Sequence, residues 1–199
     1  TFKRATMELG GNAPVIVFDD ANLEAALDIC VAVKFANAGQ VCVTGDRFYV
    51  HESLHSKFVD GFAARAKALK LGHGLDESSQ MGPLINARRV AAIDGVVADA
   101  RKRGGQIVTG GERPSDKNKG FFYLPTVISG LPDEAMALAE ENFGPIAAIT
   151  PFRTDEEVYA RANSTELGLS AYAFTLSAKR MRETVARLEA GMIGINSFA

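Results

Sequence analysis

The chain has 199 residues, 47% hydrophobic and 23% charged, which is the balance of an ordinary globule rather than of a mainly disordered chain. At this length one domain buries roughly 70% of its unfolded surface and needs no staples, and two cysteines, Cys30 and Cys42, are too few for a disulfide scaffold. A formal net charge of −2 argues against a dedicated nucleic-acid or anionic-membrane binder, and no apolar run reaches the ~18 residues of a membrane span. The expected compartment is therefore reducing and cytoplasmic, with no nucleic-acid or membrane partner.

Short apolar runs alternate with helix-length segments along the chain. Pro14 to Phe18 reads as a buried strand closed by Asp19-Asp20. Asn22 then opens a helix with Leu23, Ala26, Leu27, Cys30 and Val31 at helical spacing, fading near Asn37-Ala38-Gly39. Arg47 to Val50 is the next strand, and Ser53 starts a second helix with Leu54, Phe58, Phe62 and Ala66 on one face. Asn86 to Arg103 is a third helix, ended by Gly104-Gly105.

Ile107-Val108, Pro125 to Ile128 and Pro145 to Phe152 follow as strands. A helix from Asp155 to Ala162, a strand from Leu169 to Thr175, a helix from Ala178 to Leu188 and a strand from Met192 to Ile195 complete the order. Near-continuous apolar strands alternating with helices predict an α/β fold, a three-layer αβα domain with a mostly parallel sheet.

One metal motif matches and fails on geometry. His51-Glu52-Ser53-Leu54-His55 fits H-E-x-x-H, whose mechanism needs both imidazoles on one helical face. Here His51 ends a strand and Ser53 reads as the cap of the next helix, so the two rings diverge and no metal site is expected. Phosphate cradles are missing too: no G-x-G-x-x-G follows a strand, and there is no G-x-x-x-x-G-K-[ST].

Three places carry chemistry. Cys42 lies in a connection between a helix and a strand, where a thiol is either open to a substrate or simply a small buried hydrophobe. Cys30, by contrast, falls on the apolar stripe of its helix. Glu8 enters the paired glycines Gly10-Gly11, either as a solvated loop residue or where backbone and ligand approach closely. Glu140-Glu141-Asn142-Phe143-Gly144-Pro145 reads by itself as a helix end and turn.

Taken together, these segments resemble the aldehyde dehydrogenases. Glu8-Leu9-Gly10-Gly11-Asn12-Ala13-Pro14 resembles the glutamate signature of that family. Gly39-Gln40-Val41-Cys42, with Arg47 after it, resembles the cysteine signature, and Glu141-Asn142-Phe143-Gly144-Pro145 the E-x-F-G-P element. Thirty-four residues separate Glu8 from Cys42, the family's usual spacing. Residues 163–170 and 191–196 are also similar to family segments, so the resemblance runs along the whole chain in order.

The resemblance implies oxidation of a small-molecule aldehyde to a carboxylic acid with NAD or NADP. It makes Cys42 the nucleophile, passing through a thiohemiacetal and a thioester, and Glu8 the base that activates water. Glu141 would hold the nicotinamide ribose hydroxyls, Phe143 would pack near the ring, and Leu9 and Gly10 would border the cofactor. An aldehyde hydrogen leaves as hydride only after a nucleophile has added, and a thiolate suits that task near neutral pH. Relatives that transfer the acyl group elsewhere generally lack this glutamate, so its presence favours hydrolysis. Arg47 is assigned to structure.

Complete family members are longer. The expectation is therefore that residues 1–199 are a catalytic domain, without the N-terminal cofactor domain and the C-terminal oligomerisation segment of a homo-oligomer. Such an isolated chain would be nearly inactive, since loss of one oxyanion donor costs on the order of 100- to 1000-fold. The Gly191 to Asn196 and Asp46 to His51 stretches look most like the succinate semialdehyde dehydrogenase branch, with Ser197-Phe198 expected at the pocket rim. Two other classes stand beside this reading: a cofactor-independent cysteine hydrolase, which needs a histidine partner for Cys42, and a non-catalytic structural or interaction domain.

Overall fold

The computed structural model describes residues 2–198. Seven strands form one sheet: β1 (Ala13–Val17), β2 (Gly45–His51), β3 (Gln106–Thr109), β4 (Thr126–Ser129), β5 (Ile146–Phe152), β6 (Ser170–Phe174) and β7 (Met192–Ile195). Their order is β3-β4-β5-β2-β1-β6-β7, and every neighbouring pair is parallel except β3 with β4. Six helices accompany them: α1 (Leu23–Phe35), α2 (Glu52–Ala68), α3 (Ala87–Lys102), α4 (Met136–Ala139), α5 (Asp155–Asn163) and α6 (Ala178–Arg187).

Strand periodicity builds the three layers. Successive side chains point to opposite faces, so Val15, Val17, Phe48 and Val50 join the core under α1, α2 and α3. Ile16, Phe18 and Tyr49 instead meet Val158, Tyr159 and Leu188 on the other face. Both faces of the central strands are covered, which is why β1 reads as an unbroken apolar run rather than an alternation. The expected three-layer, mostly parallel α/β architecture is the one observed.

Helix ends follow the sequence signals closely, with one correction. Asn22 caps α1 by accepting from the Ala25 N–H, and Asn86 caps α3 by accepting from the Arg89 N–H. Gly104 takes a left-handed φ of +81° and lets the Gly105 N–H reach the Ala100 carbonyl at 2.8 Å. The second helix begins one residue before Ser53, and its cap is His51, whose Nδ1 accepts from the Ser53 N–H. An imidazole nitrogen two residues upstream thus does the work expected of the serine. The short turn α4 and the irregular stretches 70–86 and 110–125 were not legible as elements.

Candidate functional site

Strand order decides which loops meet. The segments entering β1, β2 and β5 arrive at the amino ends of three adjacent parallel strands, in the order β5-β2-β1. Neighbouring strands lie about 4.8 Å apart. Residues far apart in sequence, Glu8 to Gly11, Gln40 to Thr44 and Glu141 to Phe143, are thereby gathered at one edge of the sheet. They border an open cleft of about 490 Å³ lined by Glu8, Leu9, Gly10, Gln40, Val41, Cys42, Glu141 and Phe143. All six residues singled out from the sequence lie on it; Gln40 and Val41 are additions.

The glycines explain how the three segments touch. The Gly11 N–H donates to Glu141 Oε1 at 2.9 Å, and a Cβ on Gly10 would sit 2.6 Å from Glu141 Oε2. A Cβ on Gly11 would overlap the Cys42 carbonyl oxygen, and one on Gly39 would overlap that of Gly144. The glutamate, cysteine and Phe143 segments therefore pack backbone to backbone, which any larger residue at these positions would prevent. Gly39 ends a run of three left-handed residues, Asn37 (φ 49°), Ala38 (φ 56°) and Gly39 (φ 73°), which turns the chain from α1 toward Cys42.

Hydrogen bonds fix the loops from behind. Gln40 accepts from the Ile85 N–H at 2.9 Å and donates to the Asn37 and Pro83 carbonyls. The Tyr172 hydroxyl donates to the Val43 carbonyl at 2.6 Å, next to the cysteine. Burial pushes the Tyr172 phenol up, so it remains a donor. Arg47 is buried and spends its guanidinium on the Asn12, Arg161 and Ala162 carbonyls at 2.9 to 3.1 Å. That arrangement suits the structural role expected of it. Phe143 adopts a left-handed φ of 46°, with the Arg89 guanidinium 5.7 Å from its ring centre and donating to the Asn142 carbonyl.

The two cysteines occupy different environments. Cys30 is wholly buried, and burial pushes its thiol well up, as for an inert core residue. Cys42 is free and half-buried on the cleft, where a small molecule can reach it. None of His51, His55 and His73 borders this cleft, so the partner that a cysteine hydrolase needs is not there.

His51 ends β2 while His55 lies within α2, and no group of three or more His, Cys, Asp or Glu among the described residues could hold a metal ion. A second cleft of about 470 Å³, lined by Glu52, His55 and Arg153 among others, opens at the opposite edge of the sheet and contains no cysteine. Phe198 does not line the Cys42 cleft as expected; it stacks on Tyr172 with ring centres 3.9 Å apart.

A free cysteine facing two carboxylate segments across a glycine-built cleft, outside a mostly parallel sheet, defines a class of α/β domain suited to thiol chemistry. The chain belongs to the aldehyde dehydrogenase family, whose profile matches residues 1–199. It is 43% identical over 196 residues to the succinate semialdehyde dehydrogenase of Acinetobacter baylyi, covering 98% of this chain and 40% of that protein.

Among solved structures, an NADP-dependent enzyme of Escherichia coli matches with a TM-score of 0.93 at 40% identity, over 96% of this chain and 40% of that one. A betaine aldehyde dehydrogenase of Staphylococcus aureus in complex with NAD+ matches with a TM-score of 0.93 at 35% identity, over 96% of this chain and 38% of that one. The chain thus spans about 40% of the length of the curated relative from Acinetobacter.

Proposed function

We propose that residues 1–199 form the catalytic domain of an NAD(P)-dependent aldehyde dehydrogenase that oxidises an aldehyde to a carboxylic acid. The observation that carries this reading is the convergence of Cys42, Glu8 and Glu141 on one cleft. In this reading the Cys42 sulfur adds to the aldehyde carbonyl, giving a thiohemiacetal. A bound NAD(P) would supply the hydride acceptor that lets the thiohemiacetal become a thioester, its hydroxyl proton being released to solvent. Glu8 takes a proton from water, the hydroxide adds to the thioester carbonyl, and the acid departs as the Cys42 thiol is restored.

The residues present fit a nicotinamide cofactor. Glu141 offers a carboxylate acceptor at the cleft, Phe143 an aromatic surface, and Gly10 bare backbone along which a ligand can lie close. Leu9, more than half exposed, supplies an apolar border.

The Acinetobacter relative's name supports succinate semialdehyde as the substrate, or a closely similar semialdehyde. A reaction that depends on a free thiol suits a reducing compartment such as the cytoplasm. The reading also takes the full-length polypeptide to be a homo-oligomer, and the 199-residue stretch expressed alone to be nearly inactive.

The test uses the full-length polypeptide. Cys42→Ser is expected to abolish aldehyde oxidation. Glu8→Gln is expected to keep a rapid first release of reduced cofactor while steady turnover falls at least about 100-fold, because the thioester then waits for water. Retained turnover in Cys42→Ser, or loss of the rapid phase in Glu8→Gln with a folded protein, would overturn the assignment. Comparison of kcat/KM across an aldehyde panel tests the substrate, with equal values for succinate semialdehyde and unrelated aliphatic aldehydes counting against it.

A further inference from the structure

The loop carrying Cys42 is closed at its base by two charges that the mechanism does not use. Lys34 lies in the last turn of α1, where a lysine ordinarily reaches out to solvent. Instead its side chain is fully buried, and Nζ meets Asp46 Oδ1 of β2 at 2.6 Å, with the aspartate side chain 3% exposed. Between these partners run residues 35–45, which contain the left-handed turn and Cys42. A second tie parallels the first: the buried Thr44 hydroxyl donates to the Val33 carbonyl at 3.3 Å. The Lys34 carbonyl also lies directly beside Gly39.

Stability alone is a poor reason to keep such a pair. Removing two charges from water is costly, and replacing a buried ion pair with apolar residues of similar volume is often neutral or stabilising. What the pair adds is a fixed distance between the end of α1 and the start of β2. Burial pushes the Asp46 carboxyl up, the Lys34 ammonium opposes that, and the Glu141 carboxylate pushes it further up. The pair therefore lies within the field of the Glu141 carboxylate, which lines the cleft.

We propose that Lys34 and Asp46 are positioning residues that clamp the two ends of the Cys42 loop and hold the thiol in register with Glu8 and Glu141. This rests on Cys42 being the nucleophile of the proposed reaction. The clamp serves turnover more than it serves the folded state.

The experiment compares the full-length polypeptide with the double variants Lys34→Met/Asp46→Leu and Lys34→Gln/Asp46→Asn, the second preserving side-chain size where the first disturbs packing. Three readouts are taken: Tm, the split of kcat against KM, and amide hydrogen exchange of residues 36–44. In at least one double variant Tm is expected to stay within about 5 °C. In that variant kcat falls at least about tenfold with KM nearly unchanged, as misplacement by a fraction of an ångström requires. Loop amides exchange at least about tenfold faster, while β1 and β2 keep their protection.

Wild-type kcat and wild-type loop exchange in a stable double variant would overturn the proposal. So would global loss of protection and of Tm in both, which would make the pair a structural device only. If the wild-type polypeptide oxidises no aldehyde, the functional reading fails by itself, and the exchange measurement still decides whether the clamp exists.

Discussion

Gly11→Ala is the substitution that tests most directly whether the cleft is built by backbone contact. Gly11 has no left-handed φ, so alanine's own conformation is allowed and the whole effect comes from what its Cβ meets. That atom would overlap the Cys42 carbonyl oxygen, a backbone atom with no rotamer to escape into. At Gly10 the corresponding Cβ lies 2.6 Å from Glu141 Oε2, the far end of a flexible side chain. Glu141 needs to retreat by about 0.8 Å to reach ordinary contact. In Gly11→Ala the cysteine loop itself has to move by at least as much.

Overpacking of this kind costs about 1–3 kcal/mol, against about 0.4–1 kcal/mol gained from the stiffer unfolded chain. The net loss is about 1–2 kcal/mol, or roughly 2–8 °C in Tm for a domain of this size. If Cys42 is the nucleophile of the proposed reaction, a displacement of about 1 Å costs on the order of 100-fold in rate. Gly10→Ala, which moves only Glu141, is expected to melt near wild type and to weaken cofactor binding. The assays are thermal unfolding, kcat and cofactor titration on both variants. Gly11→Ala with wild-type Tm and kcat, or Gly10→Ala as the more damaging of the two, would refute the reasoning.

Arg47→Met strips donors from the Asn12, Arg161 and Ala162 carbonyls in a buried site. The Arg161 carbonyl keeps the Ser164 N–H and the Tyr49 hydroxyl as donors, while those of Asn12 and Ala162 lose the guanidinium. The expected cost is about 2 kcal/mol, since an unpaired buried acceptor carries a penalty of about 1–3 kcal/mol, and a Tm within 2 °C of wild type would contradict that. His55 gives a pH signature. Burial lowers its pKa in the fold, against an opposing hydrogen bond at Ile149. The unfolded state therefore takes up the proton first, and stability falls as pH drops through about 6.5 toward the folded value. His55→Asn is expected to show a smaller loss of Tm between about pH 7.5 and pH 5.5 than wild type, and an equal or larger loss would reverse the assignment.

The layers were legible because periodicity writes them. Val15, Ile16 and Val17 need burial on both sides, and a covered parallel strand satisfies that. Caps and glycine stops were legible for the same local reason, except where His51 took over from Ser53. What escaped was long-range. Lys34 looks like a solvent-facing lysine at a helix end, and nothing near it in sequence announces Asp46 as its buried partner.

Cys42, Glu8 and Glu141 each look ordinary alone. They stood out as a set only through family resemblance, and only the strand order explains why they meet. Gln40 sat inside a recognised motif without a role, since its partners Ile85 and Pro83 lie in a stretch with no periodic pattern. Arg89 was hidden likewise, on a helix whose apolar stripe drew attention to other positions.

The neighbour relation among β1, β2 and β5 also carries a timing. The first two strands and the helix between them are contiguous in sequence and can pair early. The strand that the Glu141 to Phe143 segment enters follows about a hundred residues later, roughly 5–20 s at ordinary rates of synthesis. For that interval a nascent chain presents a cysteine on a half-built edge with one side of its shelter missing.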